Sequence, residues 1–142
     1  MKPPSGILET IVYADDLIAA RQFYEQVLGL QIVSYDHDRH LMLRVGQSML
    51  LIFHPEDSNS KEIVVNGSMI PQHGCSGPSH FAFRIAEEQI EEIKHRLADH
   101  DIPIESEIEW PGGGHSIYCR DPANNSVEFA TASLWFSEDE TD

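Results

Sequence analysis

The sequence predicts an α+β protein in which one βαβββ unit occurs twice, so that a curved mixed sheet surrounds a cavity. Strand-like runs begin at Glu9 and at His80, and acidic residues and an amphipathic helical stretch follow each of them. Short strand-like runs, about three in each copy, come next. Helices cover the apolar face of a sheet, so we expect them on the convex side, with the cavity opposite.

The first unit is expected over residues 7–54. Its opening run, residues 9–13, is β-branched and aromatic, which favours a strand. A helix is expected over residues 17–28. Asp15 or Asp16 can cap this helix, because a carboxylate there accepts backbone N–H bonds and meets the positive end of the helix dipole.

The same helix has an apolar stripe and a clear stop. Gly29 follows its last apolar residue, as is common at helix ends. The residues at helical spacing that we expect to face the sheet are Ile18, Ala19, Phe23, Val27 and Leu28. Three further strands complete the unit, and we expect them over residues 31–35, 41–45 and 49–53.

Residues 55–78 are expected to connect the two units. This stretch is rich in Pro, Gly, Ser and Asn and contains the turn signal Asn66-Gly67. Loops of more than about twenty residues are often lids or binding loops, although a flexible linker fits the composition equally well. His73 lies in this connection and could close over a site.

The second unit is expected over residues 79–133. Its helix is expected over residues 89–98, with a strand beginning at Pro103-Ile104. The apolar helix face consists of Ile90, Ile93 and Leu97. The final two strands, expected over residues 115–120 and 126–131, are joined by the turn sequence Asp-Pro-Ala-Asn-Asn.

Size and charge limit the classes of function. The 142 residues suit one domain, residues 1–142, and the formal net charge of −15 argues against nucleic-acid binding. No apolar run is long enough to span a bilayer, so we expect a cytoplasmic protein without membrane contact. Cys75 and Cys119 are expected to be free thiols. The acidic tail, residues 137–142, is expected to be frayed.

Strand alternation suggests a metal site. Val127 and Phe129 should pack under a helix, so Glu128 points to the opposite face. The same argument places His80 and Glu9 on the cavity face of their strands. Two carboxylates and one imidazole suit Mn²⁺, Fe²⁺, Ni²⁺ or Zn²⁺.

Three motifs resemble the vicinal oxygen chelate superfamily, which includes glyoxalase I, extradiol dioxygenases, fosfomycin-resistance enzymes and bleomycin-binding proteins. They cover nearly the whole chain, residues 7–133. The motifs are Ala14-Asp15-Asp16-Leu17 with Phe23-Tyr24 and Val27-Leu28-Gly29-Leu30, then Ser79-His80-Phe81-Ala82-Phe83, then Tyr118-Cys119-Arg120-Asp121-Pro122-Ala123-Asn124-Asn125-Ser126-Val127-Glu128-Phe129.

The resemblance implies a set of metal ligands. His80 and Glu128 match the ligands of the second unit and the last strand, whereas Glu9 stands where a His is usual. A fourth ligand of some members corresponds here to Ile52. The resemblance therefore implies a three-ligand site, as in dioxygenase-like and fosfomycin-type members, rather than the four-ligand glyoxalase I pattern.

Further residues are candidates for substrate binding. Ser116 and Tyr118 alternate onto the cavity face, and they lie in a segment that resembles the one holding substrate oxygens in fosfomycin-type enzymes. Arg44 is expected to face inward, and so is His54, beside Leu50 and Ile52. Trp110 and Trp135 are interpreted as packing or dimer contacts rather than as substrate contacts.

Two classes of function are consistent with these features. One is a divalent-metal-dependent lyase, isomerase, dioxygenase or thiol transferase that binds a small substrate through vicinal oxygens, with no identified general base. The other is a metal-free protein that binds or sequesters a small molecule, as bleomycin-binding proteins do. In both cases the resemblance implies a homodimer.

Overall fold

The computed structural model describes residues 1–60 and 62–140. It divides into two compact units, Met1–Gly77 and Pro78–Asp142. No helix in the described part of the chain is long and apolar enough to cross a membrane. Of the tail that we expected to be frayed, Glu138–Glu140 forms a short 3-10 turn, and residues 141–142 lie outside the described residues.

The first unit contains a four-stranded mixed sheet. Its strands are β1 (Glu9–Tyr13), β2 (Gln31–Asp36), β3 (His40–Val45) and β4 (Ser48–Phe53). They lie in the order β1-β4-β3-β2, with β1 parallel to β4 and the other pairs antiparallel. The predicted succession of one strand, one helix and three strands is confirmed.

The helix of this unit begins as predicted but is not a regular α-helix throughout. Helix α1 (Leu17–Arg21) is capped by Asp16, whose Oδ1 accepts a bond of 3.0 Å from the Ala19 amide. It continues as the wider π-helical stretch Gln22–Val27, and Gly29 at φ 75° follows its end.

The expected buried face of this helix is wrong in part. Ile18 is 58 % exposed. The buried stripe begins at Leu17 and Ala20 rather than at Ile18 and Ala19, so Ile18 lies outside it. The buried residues are Leu17, Ala20, Phe23, Tyr24 and Val27.

The connection between the units contains regular structure, and the choice between a lid and a flexible linker stays a prediction. This connection contains helix α2 (Pro55–Ser60) and a hairpin of β5 (Ile63–Val65) and β6 (Ser68–Ile70). The Asn66-Gly67 turn joins the two strands, with both residues at positive φ, as a tight hairpin requires.

His73 anchors the end of this connection to the first sheet. Its Nδ1 lies 2.6 Å from the Tyr13 hydroxyl, and its ring meets the Phe53 ring edge-on at 5.0 Å. Tyr13 and Phe53 pair at the ends of β1 and β4. Burial, followed by the nearby Cys75 thiol, raises the pKa of Tyr13. The predicted closing role of His73 stays a prediction.

The second unit repeats the first. It contains β7 (His80–Ile85), the 3-10 turn Glu87–Gln89, helix α3 (Ile90–Asp99), β8 (Ser106–Glu109), β9 (His115–Arg120) and β10 (Ser126–Thr131). The strand order β7-β10-β9-β8 matches that of the first unit. The strand expected to begin at Pro103 begins instead at Ser106.

Both cysteines are free thiols, as predicted, but their surroundings differ. Cys75 is exposed, and Cys119 is buried in β9. Burial, and then the charges of Asp121 and Glu105, raise the pKa of the Cys119 thiol to about 12.

We therefore expect one thiol per native chain to react quickly with Ellman's reagent, and two in denaturant, because the thiolate is the reacting form. Absorbance of the released thionitrobenzoate gives the count. Rapid reaction of two thiols in the native protein would contradict the buried position of Cys119.

Candidate functional site

The register of the second sheet brings four predicted site residues onto one face. His80 pairs with Ser126 across β7 and β10, and Glu128 pairs with Tyr118 across β10 and β9. Ser116 pairs with Ala130, two residues beyond Glu128 on the same face. Val127 and Phe129 alternate to the other face and are buried, so the predicted alternation of β10 is correct.

His80 and Glu128 are in direct contact. His80 Nε2 lies 3.2 Å from Glu128 Oε1, and His80 Nδ1 lies 3.0 Å from the carbonyl oxygen of Ser126. The Ser126 hydroxyl also lies 3.1 Å from Nδ1, so either tautomer of the ring finds a partner there. In the tautomer with the proton on Nδ1, that proton is donated to the carbonyl oxygen and Nε2 faces the carboxylate with a lone pair. A cation between Nε2 and the carboxylate would then satisfy both of them.

The other side of the Glu128 carboxylate is held by neutral donors. Ser116 Oγ donates to Oε2 at 2.6 Å, and Trp110 Nε1 donates to Ser116 Oγ at 2.9 Å. Burial, then the charge of Glu128 and a hydrogen bond to it, raise the pKa of Tyr118, so the phenol stays a proton donor at neutral pH. The Tyr118 ring also stacks on that of His80, with centroids 6.1 Å apart.

The expectation that Trp110 serves only for packing or dimer contact missed this bond. Trp110 lies just before a glycine-rich turn that its own backbone closes, with its amide bonded to the Gly114 carbonyl. Strand alternation does not extend into such a turn, so it carried no direct signal for the direction of the Trp110 side chain. A tryptophan beside a tight turn between two site strands is the weak signal that was present.

Beside these residues the second unit has a cavity of about 460 Å³. Its lining is largely apolar and aromatic. The lining residues are Ala82, Phe83, Arg84, Trp110, Tyr118, Glu128, Ala130, Thr131, Ala132, Leu134, Trp135 and Phe136. A mainly apolar cavity of this size with a few convergent polar groups is typical of small-molecule sites.

In the first unit the equivalent positions carry a different set of side chains. Glu9 opens β1 and pairs with Met49, as His80 opens β7 and pairs with Ser126. Arg44 pairs with Met49 as well and therefore shares the face of Glu9. Glu9 thus occupies the predicted repeat position, and its role as a metal ligand stays a prediction.

The fourth-ligand position was assigned to the wrong residue. Counting from the paired positions, Glu128 corresponds to Leu51, which pairs with Ile11, and not to Ile52. Leu50 and Ile52 pair with Thr10 and Val12 and share their face, opposite Glu9. His54 follows β4, so alternation with these two residues no longer supports its predicted substrate contact.

A second group of possible ligands lies on the turn after β2. Ligand atoms of Asp36, His37 and Asp38 lie within 4.8 Å of one another. His37 and Asp38 are exposed, and the Asp36 carboxylate accepts a bond from the Asp38 amide, as in an ordinary turn. We interpret this group as turn chemistry.

The fold and these motifs define the class of protein. Residues 6–129 match the family model of the Glyoxalase/Bleomycin resistance protein/Dioxygenase superfamily, and the chain belongs to that superfamily. No curated protein sequence gives a significant match.

Solved structures support the assignment. The chain is similar to a lactoylglutathione lyase from Agrobacterium tumefaciens, with 42 % identity, a TM-score of 0.87, and coverage of 96 % of this chain and 100 % of that one. An integron cassette protein from the mobile metagenome of the Halifax Harbour sewage outfall has 23 % identity and a TM-score of 0.70, with coverage of 90 % and 99 %. A virulence protein from Salmonella typhimurium has 20 % identity and a TM-score of 0.69, with coverage of 92 % and 98 %. The last two show the fold alone.

Proposed function

We propose that this chain is a divalent-metal-dependent enzyme that acts on a small substrate through two neighbouring oxygen atoms. The main support is the 3.2 Å separation of His80 Nε2 and Glu128 Oε1, with Nδ1 on a carbonyl oxygen. Ligand bonds of about 2.0–2.2 Å at right angles put two donor atoms roughly 3 Å apart. The pair therefore fits two neighbouring ligands of one ion.

The surrounding residues fit such a role. The Ser126 carbonyl orients the imidazole, while Ser116 and Tyr118 orient the carboxylate without cancelling its charge. Mn²⁺, Fe²⁺, Ni²⁺ or Zn²⁺ bound there would polarise the substrate oxygens as a Lewis acid. Tyr118 and Ser116 would position the substrate beside Glu128.

Glu9 is proposed as a third ligand because it holds in β1 the place that His80 holds in β7. It would come from the same chain or from a second copy in the homodimer that we also propose. Leu51 is apolar at the first-unit place of Glu128, which favours three protein ligands over four. Arg44, on the face of Glu9, would offset the additional negative charge.

Lactoylglutathione is the first substrate to test. The 42 %-identical neighbour is named a lyase of this compound, and the lactoyl group carries a carbonyl and a hydroxyl oxygen on adjacent carbons. This is the pattern of neighbouring oxygens that the proposed site requires. Leu51 has no donor atom for a fourth metal bond. The reactions of three-ligand members, the dioxygenase-like and fosfomycin-type ones, should therefore be assayed as well.

The proposal predicts that purified protein, stripped of metal and titrated with Mn²⁺, Fe²⁺, Ni²⁺ and Zn²⁺, takes up about one ion per chain. Glu128→Gln should weaken uptake of the preferred ion at least about 10-fold, because the amide removes the ligand charge. Equilibrium dialysis with mass-spectrometric metal analysis measures both. Glu107→Gln is the matched control, since Glu107 bonds Lys94 and His115 instead. A wild-type protein that takes up none of the four ions would refute the metal-dependent function.

A second candidate is a metal-free protein that binds or sequesters a small molecule, as in bleomycin resistance. The observation that favours it is the apolar lining of the cavity, which includes the aromatic residues Trp110, Tyr118, Trp135 and Phe136. Ligand binding at this cavity without metal uptake would establish this second function.

A further inference from the structure

One wall of the cavity carries a cation without a carboxylate partner. Arg84 lines the cavity, and its guanidinium carbon lies 5.9 Å from the centre of the Phe136 ring. That distance is within the range of a cation–π contact, which holds the group at the wall. Among the residues that the structure describes, no ion pair to Arg84 is found.

Among the described residues Lys2 and Arg44 likewise have no ion pair, but Arg84 is the one of these cations that lines the cavity. The sequence has 24 Asp and Glu residues against 9 Lys and Arg. Two other cations of the second unit have carboxylate partners, with Lys94 on Glu107 and Arg120 on Glu105. An ion pair within the protein therefore does not explain the position of Arg84 on the cavity wall, whereas an anionic ligand in the cavity would explain it.

We propose that Arg84 binds the carboxylate of a monoanionic substrate whose aromatic or otherwise apolar body fills the cavity. This inference rests on the proposed function, which it deepens by naming the substrate class. Of the residues that line the cavity, Arg84 is the cation and Glu128 the anion. One guanidinium neutralises one negative charge, whereas a dianionic phosphate would keep a charge that Glu128 repels.

The sheet register sets the approximate length of this substrate. Arg84 pairs with Ala130, two residues from Glu128 along β10. At a rise of about 3.3–3.4 Å per residue, the two charged positions lie roughly 7 Å apart along the strand. About one aromatic ring fits between a carboxylate at Arg84 and neighbouring oxygens at the Glu128 end.

The two tryptophans allow a direct test. The sequence contains two tryptophans, Trp110 and Trp135, and both line the cavity, so intrinsic fluorescence reports on its occupancy. The probes are 4-nitrobenzoate and its neutral twin 4-nitrobenzamide, titrated at low ionic strength with a chelator present. We expect the carboxylate to bind at least about 5-fold more tightly than the amide, although the chain's net charge of −15 opposes anions.

Arg84→Gln should weaken binding of 4-nitrobenzoate about 5- to 10-fold, the loss expected for a partly exposed charge-assisted contact. The affinity for 4-nitrobenzamide should stay within about 2-fold of the wild-type value. Arg84→Lys should retain part of the preference. Arg96→Gln, which removes the same charge from helix α3, should leave both affinities unchanged. Circular dichroism of each variant confirms folding.

Equal affinity of the wild type for the two probes would overturn the inference, and so would equal losses for both probes in Arg84→Gln. Metal uptake separates this result from the proposed function. Arg84→Gln should bind metal as the wild type does. A wild type that takes up no metal but prefers the carboxylate would refute the enzyme proposal and leave the carboxylate site intact.

Discussion

Replacing His80 with alanine is expected to abolish stoichiometric metal binding. The imidazole is one of the two adjacent donors, at 3.2 Å from Glu128 Oε1, and alanine offers no donor. Loss of groups that merely orient a ligand typically costs roughly 10- to 100-fold in metal affinity, so loss of the ligand itself should cost at least about 100-fold. Metal titration of the stripped variant measures the effect.

The side chain of His80 is about half exposed, so its removal should leave the free energy of unfolding within about 1 kcal/mol of the parent. His115→Ala is the matched control, because His115 bonds Glu107 on β8 and lies outside the proposed site. Wild-type metal affinity in the His80 variant would contradict the proposed ligand set.

Gly114→Ala is expected to cause the largest loss of stability of the substitutions considered. Gly114 has φ +99°, and an added Cβ would lie 2.7 Å from Leu134 Cα. Backbone strain at positive φ and a contact shorter than van der Waals distance together should lower the free energy of unfolding by about 2–4 kcal/mol. Because Leu134 lines the cavity, tryptophan fluorescence should also change. Urea unfolding followed by circular dichroism gives the free energy.

The neighbouring glycines separate the two causes. Gly113 has φ +109° with its nearest atom at 3.6 Å, so alanine there adds backbone strain alone and should cost about 1–2 kcal/mol. Gly112 has open space around it, and its substitution should leave stability unchanged or raise it slightly. If all three alanine variants were equally stable, close contact between this turn and the C-terminal segment would be disproved.

Local sequence signals predicted much of the fold. The bounds of β1, β9 and β10 and the first residue of β7 were predicted to the residue, because β-branched and aromatic runs end at strong turn signals. The Asp16 cap and the Gly29 stop were predicted for the same local reasons. Periodicity missed the π-helical turns after Arg21, because their buried residues Phe23, Tyr24 and Val27 lie at spacings that an α-helix also produces.

The alternation of side chains along a strand correctly predicted the site residues that lie within strands. It failed for positions that depend on how two strands pair with each other. The site side chains share a face because even spacings connect the paired positions. Glu128 is two residues from Ser126, which pairs with His80. Ser116 is two residues from Tyr118, which pairs with Glu128. The register between β1 and β4, which moves the fourth-ligand position from Ile52 to Leu51, is set by tertiary pairing and not by either strand alone. The direction of Trp110 depends on a turn, where the two-residue period stops.

The central claim is that His80 and Glu128 bind one divalent ion. Crystals of protein loaded with its preferred metal, measured at the absorption edge of that metal, test it most directly. We predict one anomalous peak per chain, about 2.0–2.2 Å from both His80 Nε2 and a Glu128 carboxylate oxygen. A fully loaded protein whose peak lies elsewhere, for example at Asp36, His37 and Asp38, would contradict the claim.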